Sequence, residues 1–288
     1  GFRNQVPKLS ADDHGFRCGF IRPIDSSNNK SLTPHDKPFL TGFGDSKCRG
    51  KMHNVFLGNK FITDLLLIRL RLDDTLNFNP QGNNPWLSSA LDSLGEAIVI
   101  AASRVLDIDV RELVTGYRII TENKRHYADL YVFDSLSGGA GYSYAAGQRI
   151  EEILSMTEYI LSNCEGKCKS SCYKCLRHYK NQLKHFTLNR FIALELLEYL
   201  KDGKMRRYSL EEQKEYFNPL LRICEILRYR LNVNVVSGNL ELETENGKKV
   251  MLRNNIEKPP IINDEIMYFS PSEIAFDLEK VALLVTKK

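Results

Sequence analysis

Four cysteines, Cys164, Cys168, Cys172 and Cys175, fall at x3, x3, x2 spacing and supply four thiolates within one tight loop. Zinc takes four soft ligands in a tetrahedron, and spacings this short let the backbone fold round a single ion. With every position filled by protein, no place remains for a substrate water, so the expected Zn²⁺ is structural. The same ligands could carry an iron–sulfur cluster or oxidise in pairs. Against a disulfide framework stand the odd total of seven cysteines and their crowding into one segment.

The knot lies in a basic stretch. Lys167, Lys169, Lys174, Arg177, Lys180, Lys184 and Arg190 face the single acid Glu165, although the whole chain carries only +4. Interleaved lysines lower thiol pKa values and offset the 2− charge of a zinc tetrathiolate. A local basic cluster in a near-neutral chain points to phosphate backbone, the plain alternative being a solvated positive face. Zinc would order that loop in advance, so its cations lose less entropy on meeting DNA.

Two further groups have spacings that could serve a site. The turn Gly138-Gly139-Ala140-Gly141 feeds a helix and would expose backbone N–H groups to an anion, or else allows close helix–sheet packing. It is no Walker A loop, since no Gly-Lys-Ser/Thr follows. Asp64 and Asp134 would approach one another if their strands pair antiparallel. They would then cap the glycine turn, or hold Mg²⁺ for phosphodiester chemistry. His14, Cys18, His35 and Cys48 are weaker candidates for a second metal.

These residues need elements to position them. Alternation over 61–72 predicts a strand with Ile62, Asp64, Leu66, Ile68, Leu70 and Leu72 on one face. Asn84-Pro85 opens a helix predicted over 85–105, with Leu87, Leu91, Leu94 and Ile98 at helical spacing. Strands follow near 116–121 and 127–134, the second with Ala128, Leu130, Val132 and Asp134 in phase. A helix of about 140–162 leads into the cysteines, and another runs from a cap at Thr187 to about Leu200. Beyond Lys201 the pattern gives a helix from Pro219 to about Leu231, a hairpin through Asn246-Gly247, and a short helix opened by Ser270-Pro271-Ser272-Glu273. The fold class is α+β: a small antiparallel sheet with helices packed on one face, a four-cysteine knot and a small α+β extension. The expected segments are an irregular arm over 1–50, the zinc-binding domain over 51–201 and a helix–hairpin–helix extension over 202–288. Of the 288 residues 42% are apolar and 26% charged, ordinary for a soluble chain. No eighteen-residue apolar run is present, so a membrane span is not expected and a cytoplasmic setting is. The chain opens on Gly1 and is read as a fragment or a processed chain.

The run Tyr131–Tyr142, the four cysteines, Asn181 and Leu188–Ala193, together with the upstream Leu57–Asp64, resembles the MrfA-like zinc-binding domain. The resemblance covers about residues 50–200. That family sits at the C-terminus of superfamily 2 helicases and in bacterial antiphage systems such as DISARM and Druantia. Its members often carry an upstream Cys-x2-Cys-Gly element. Here Cys18-Gly19 remains but Gly15 stands in place of the first cysteine, leaving His14 as the substitute. The resemblance implies a helicase core as partner, in cis or in trans, in defence or repair, with single-stranded or branched DNA as ligand. The chain has neither a Walker A loop nor a DExH box and is not expected to hydrolyse ATP by the helicase route. A scaffold that docks a helicase or nuclease subunit, and a cryptic Mg²⁺-dependent nuclease, are the rival functions.

Overall fold

The computed structural model describes residues 60–80, 84–260 and 265–287, together with the backbone of five short strands before them. The chain divides into two units, Gly1–Ile62 and Thr63–Lys288. In the first unit β1 (Leu9–Asp12) lies between β2 (Ile21–Pro23) and β5 (Met52–Val55), while β3 (His35–Asp36) pairs with β4 (Lys47–Cys48).

The second unit begins with a three-stranded antiparallel sheet, β6 (Leu65–Leu72), β7 (Leu113–Glu122) and β8 (Arg125–Asp134), with β8 central. Register pairs Leu70 with Ala128 and Ile68 with Leu130, so the predicted faces coincide. Leu70, Leu72, Ala128, Leu130 and Val132 are buried, as the alternation requires. The strand starts at Leu65, not at residue 61, because the residues just before it are irregular and bond through their side chains. Thr63 Oγ1 donates to the Asp134 carbonyl at 2.9 Å, and the Asp64 carboxylate faces Gly141 N–H at 3.2 Å.

Helix α1 (Pro85–Leu106) lies across one face of this sheet and packs against α3 (Ile150–Ser162) and α4 (Arg190–Asp202). Pro85 takes the first helical position, where its missing N–H costs nothing. Asn84 precedes it without capping it, since its amide closes a loop onto Asn79 instead. Leu87, Leu91, Leu94 and Ile98 are buried, each stabilising by about 1.5–3 kcal/mol.

The helix predicted over 140–162 is two, α2 (Tyr142–Gln148) and α3. Arg149 leaves helical geometry (φ −114°, ψ 30°), and its guanidinium reaches the Val105 carbonyl at 2.6 Å near the end of α1. Helix α4 is capped by Asn189, not Thr187: the Asn189 carboxamide accepts from Phe191 N and Ile192 N, whereas Thr187 Oγ1 donates back to the Lys184 carbonyl.

The C-terminal segment holds a second hydrophobic cluster of its own. Helix α5 (Leu210–Ile226) begins nine residues before the predicted Pro219 start. Ser209 and Glu212 form a capping box, and the buried side chains of Phe217 and Leu220 hold the helix through the proline. Strands β9 (Asn232–Val236), β10 (Asn239–Glu243), β11 (Lys249–Leu252) and β12 (Ile266–Phe269) follow in the order β12-β11-β10-β9, β11 and β12 being parallel. Helices α6 (Pro271–Phe276), opened by the Ser270–Glu273 capping box, and α7 (Leu278–Thr286) complete the segment. Among the described residues no helix is long and apolar enough to cross a membrane.

Candidate metal centre

Helix α3 ends at Ser162 and the cysteine loop follows at once. All four Sγ atoms lie within 4.8 Å of one another. The separations are 3.5 Å for Cys164–Cys172, 3.6 Å for Cys164–Cys168, 3.7 Å for Cys168–Cys175 and 3.8 Å for Cys172–Cys175. A tetrahedron of Zn–S bonds about 2.3 Å long has edges of about 3.8 Å. The sulfurs therefore surround a space fitted to one ion. An iron–sulfur cluster, with several irons between its thiolates, would hold them farther apart, and no pair is joined as a disulfide.

Local chemistry prepares this arrangement. Cys172 N–H donates to Cys175 Sγ at 3.1 Å, and Lys167 N closes a turn on the Cys164 carbonyl at 2.9 Å. A Cβ at Gly166 would stand 3.0 Å from Cys172 Sγ, so any larger residue there would press on the sulfurs. Burial opposes ionisation of Cys164, but the N–H groups of Cys168 and Gly166 and the adjoining thiols bring it down to about 6. Burial and neighbouring sulfur push Cys168 and Cys175 up. Four such crowded thiols ionise together only around a cation, so the donor set fits Zn²⁺.

The knot is seated on the main core. Cys164, Cys175, Leu176 and Leu188 are buried in it, with Cys168 and Cys172 packed against it. Polar links fix what the few apolar contacts cannot. Asn181, buried within the three-ten turn Tyr179–Lys184, donates to the Leu176 carbonyl and to Glu96 Oε2, and accepts from His178 N–H. His185 Nε2 lies 2.8 Å from Asn181 Oδ1, and His178 Nε2 lies 2.8 Å from Glu96 Oε2. Glu96 was missed by the pattern of α1. Its signal was a lone carboxylate in the otherwise uncharged run Leu94–Ser103.

The seven basic residues separate by place. Lys167, Lys169 and Lys174 are exposed on the knot itself, Lys174 being 3.7 Å from Glu165. Lys180 is exposed, its Nζ 2.6 Å from the Arg111 carbonyl. Arg177 is half-buried on Ser171 Oγ, and Lys184 pairs with Asp92 at 2.8 Å. Arg190 points inward: its guanidinium bonds the Leu161 and Ser162 carbonyls at the end of α3, while its N–H meets the Ser170 carbonyl. It is a brace behind the knot rather than part of the basic face.

The glycine turn is occupied by the protein's own carboxylates. Asp134 accepts from Ala140 N, Tyr142 N, Ser143 N and the Ser143 hydroxyl. Burial raises its pKa, but these donors outweigh burial and hold it below the usual carboxylate range. Asp64 Oδ2 accepts from Gly141 N, and a Cβ at Gly139 (φ +78°) would collide with that same carboxylate. The carboxylates take the N–H groups a phosphate would need and are themselves spent on those donors rather than on Mg²⁺, so the glycine turn is self-capped. Of the second metal candidates, His14 and Cys18 lie outside the described residues; His35 and Cys48 are cross-strand partners in backbone register, their side chains lying outside the description.

Comparison with known proteins agrees with this geometry. Residues 94–176, from within α1 through the knot, match the family model of the MrfA Zn-binding domain. The chain is 37% identical over 256 residues to the Druantia protein DruE of Escherichia coli, covering 85% of this chain and 13% of that protein. It is 24% identical over 196 residues to the ATP-dependent helicase Lhr-Core of Sulfolobus acidocaldarius, covering 66% of this chain and 21% of that one. The crystal structure of the DUF1998 helicase MrfA bound to DNA gives a TM-score of 0.38 at 14% identity, over 51% of this chain and 18% of that one, too slight a likeness to bear on the fold. The chain thus spans only a small part of either curated relative. The segment that builds the four-cysteine centre is the one that matches the MrfA Zn-binding domain model, over residues 94–176.

Proposed function

We propose that this chain is an accessory module of a helicase-type defence or repair protein, in which one structural zinc ion holds a basic loop against DNA. It supplies no ATPase chemistry of its own and works beside a helicase core in cis or in trans. The observation that carries the reading is the exposure of Lys167, Lys169 and Lys174 on a loop braced from behind by Asn181 and Arg190. Cations fixed in place by a metal lose little entropy on meeting a phosphate backbone.

Charge reversal tests it. Lys167→Glu, Lys169→Glu and Lys174→Glu together remove three phosphate contacts without touching a buried group. Binding to single-stranded DNA should weaken by about tenfold or more, and the slope of log K against log salt should shrink by about 2. Unchanged affinity and slope would remove the DNA reading.

A docking role has its own support. Val233, Val235 and Val236 are exposed on β9, the edge strand of the C-terminal sheet. An apolar edge of that kind can accept another chain. Co-purification with a helicase subunit, with no DNA shift by the wild type at low salt, would favour it.

A further inference from the structure

The segment that carries the basic loop also exposes large apolar side chains. Tyr173 is 70% exposed, Tyr179 86%, Leu183 90% and Phe186 87%. Single exposed apolar residues are ordinary, but four in one short segment ask for a ligand. They do not dangle. Asn181 is buried on the inner side of the turn that bears Tyr179 and Leu183, and it is tied to Leu176, His178, His185 and, through Glu96, to α1. The Tyr173 ring meets the His185 ring edge-on at 5.4 Å, which joins the zinc knot to the same turn. The turn that bears the rings is already ordered, so binding has only their side-chain freedom left to restrict.

The segment that bears them carries charge of one kind, with Glu165 just before it and 3.7 Å from Lys174. No acidic residue occurs from Gly166 to Leu194, and Lys174 and Lys180 stand beside the exposed rings in the chain. Lys180 uses one donor on the Arg111 carbonyl and keeps two. Glu96 and Asp92, the acids that approach from α1, are engaged by His178, Asn181 and Lys184. Protein interfaces favour arginine and are depleted in lysine, whereas single-stranded nucleic acid is held by lysine-lined grooves with aromatic rings for its bases.

Resting on the proposed DNA contact and extending it, we infer that Tyr179 and Phe186, with Tyr173, form a stacking platform for the bases of single-stranded DNA, while Lys174 and Lys180 hold its phosphates. Duplex DNA, whose bases are already stacked, would meet the lysines alone.

The test uses the full zinc-loaded chain with fluorescein-labelled oligo-dT and a duplex of equal length. Tyr179→Ala with Phe186→Ala changes two side chains that are almost wholly exposed, so the fold should stand. The double variant should bind oligo-dT about tenfold or more weakly, keep its duplex affinity within about twofold, and retain the wild-type salt slope. Tyr179→Trp with Phe186→Trp should restore binding. Equal oligo-dT affinity for wild type and the alanine variant, the result a protein-docking surface would give, overturns the platform and leaves the phosphate contacts standing. Equal losses on oligo-dT and duplex overturn it as well. A wild-type chain that binds neither probe overturns the platform together with the DNA reading beneath it.

Discussion

Stripping the metal, or replacing Cys175 by serine, is expected to unfold residues 163–189 and to lower Tm by about 10 °C or more. The segment cannot hold itself. Apart from its cysteines, Leu176 and Leu188 are its only apolar side chains in the buried core. Ordering costs about 1–2 kcal/mol of backbone entropy per residue, while each buried leucine returns about 1.5–3 kcal/mol. Structural zinc supplies about 10–16 kcal/mol in small zinc domains, well above what the two leucines return. Breaking the knot also releases Arg190 from the Ser170 carbonyl and loosens the seating of α3 on α4. Hydrogen exchange before and after chelation reads the effect: protection should vanish first between Asn163 and Asn189. Cys224→Ala is the control, since Cys224 lies in the C-terminal core and should leave metal content unchanged. Full protection of the knot after complete zinc removal would show that the loop stands without metal.

The second large effect belongs to Glu195, a residue of α4 that no sequence pattern singled out. Its carboxylate is buried and accepts from Asn255 N at 2.8 Å, Asn255 Nδ2 at 2.6 Å, Ile256 N at 3.3 Å and the Tyr208 hydroxyl at 2.5 Å. The loop it grips inserts Ile256 into the main core and pairs Glu257 with Leu76. One side chain thus fastens the C-terminal segment to α4. Glu195→Ala leaves several buried donors unpaired and should destabilise by about 3 kcal/mol or more.

The same group gives the chain a pH dependence. Burial pushes the Glu195 carboxyl up to about 7, against the pull of its hydrogen bonds. A carboxyl whose folded pKa is raised binds its proton more tightly in the native state. Its contribution is therefore complete below the unfolded value near 4.5 and is lost as pH rises through about 7. Glu195→Gln cannot titrate. The stability of wild type relative to that variant should fall by about 3 kcal/mol between pH 4.5 and pH 8, as urea unfolding at several pH values would show. A constant difference across that range would mean that the carboxylate is not desolvated.

What could be read from sequence follows from how locally each feature is determined. Helix α1 was legible because Pro85 and a long apolar repeat act within one segment. The four-cysteine cluster was legible because cysteine has few other uses at that spacing. Strand β9 was not, since its Asn-Val-Asn-Val alternation is short and all five of its residues are exposed, so no core fixes a face. Strand β12 pairs in parallel with β11 across a long connection, beyond any local signal. The break at Arg149 depends on the Val105 carbonyl, which the fold brings near from another helix. Pro219 misplaced the start of α5 because proline favours first turns; the Ser209–Glu212 box was the truer mark. Within the site, the basic run reads Arg190 as a surface cation, whereas the Leu161 and Ser162 carbonyls at the end of α3 turn it inward. Gly166 and Glu96 matter only through contacts with sulfur and with Asn181 that exist once the chain has folded.

The most direct test of the account follows DNA binding through metal removal. Fluorescein-labelled single-stranded DNA is titrated with zinc-loaded, chelator-stripped and zinc-reloaded chain, the metal being counted in each sample. The account predicts salt-dependent binding by the loaded chain, its loss on stripping, and its return as zinc is restored to one ion per chain. Stripped protein that binds with the same affinity and salt slope as the loaded form would contradict the claim that the zinc knot organises the DNA-contacting face.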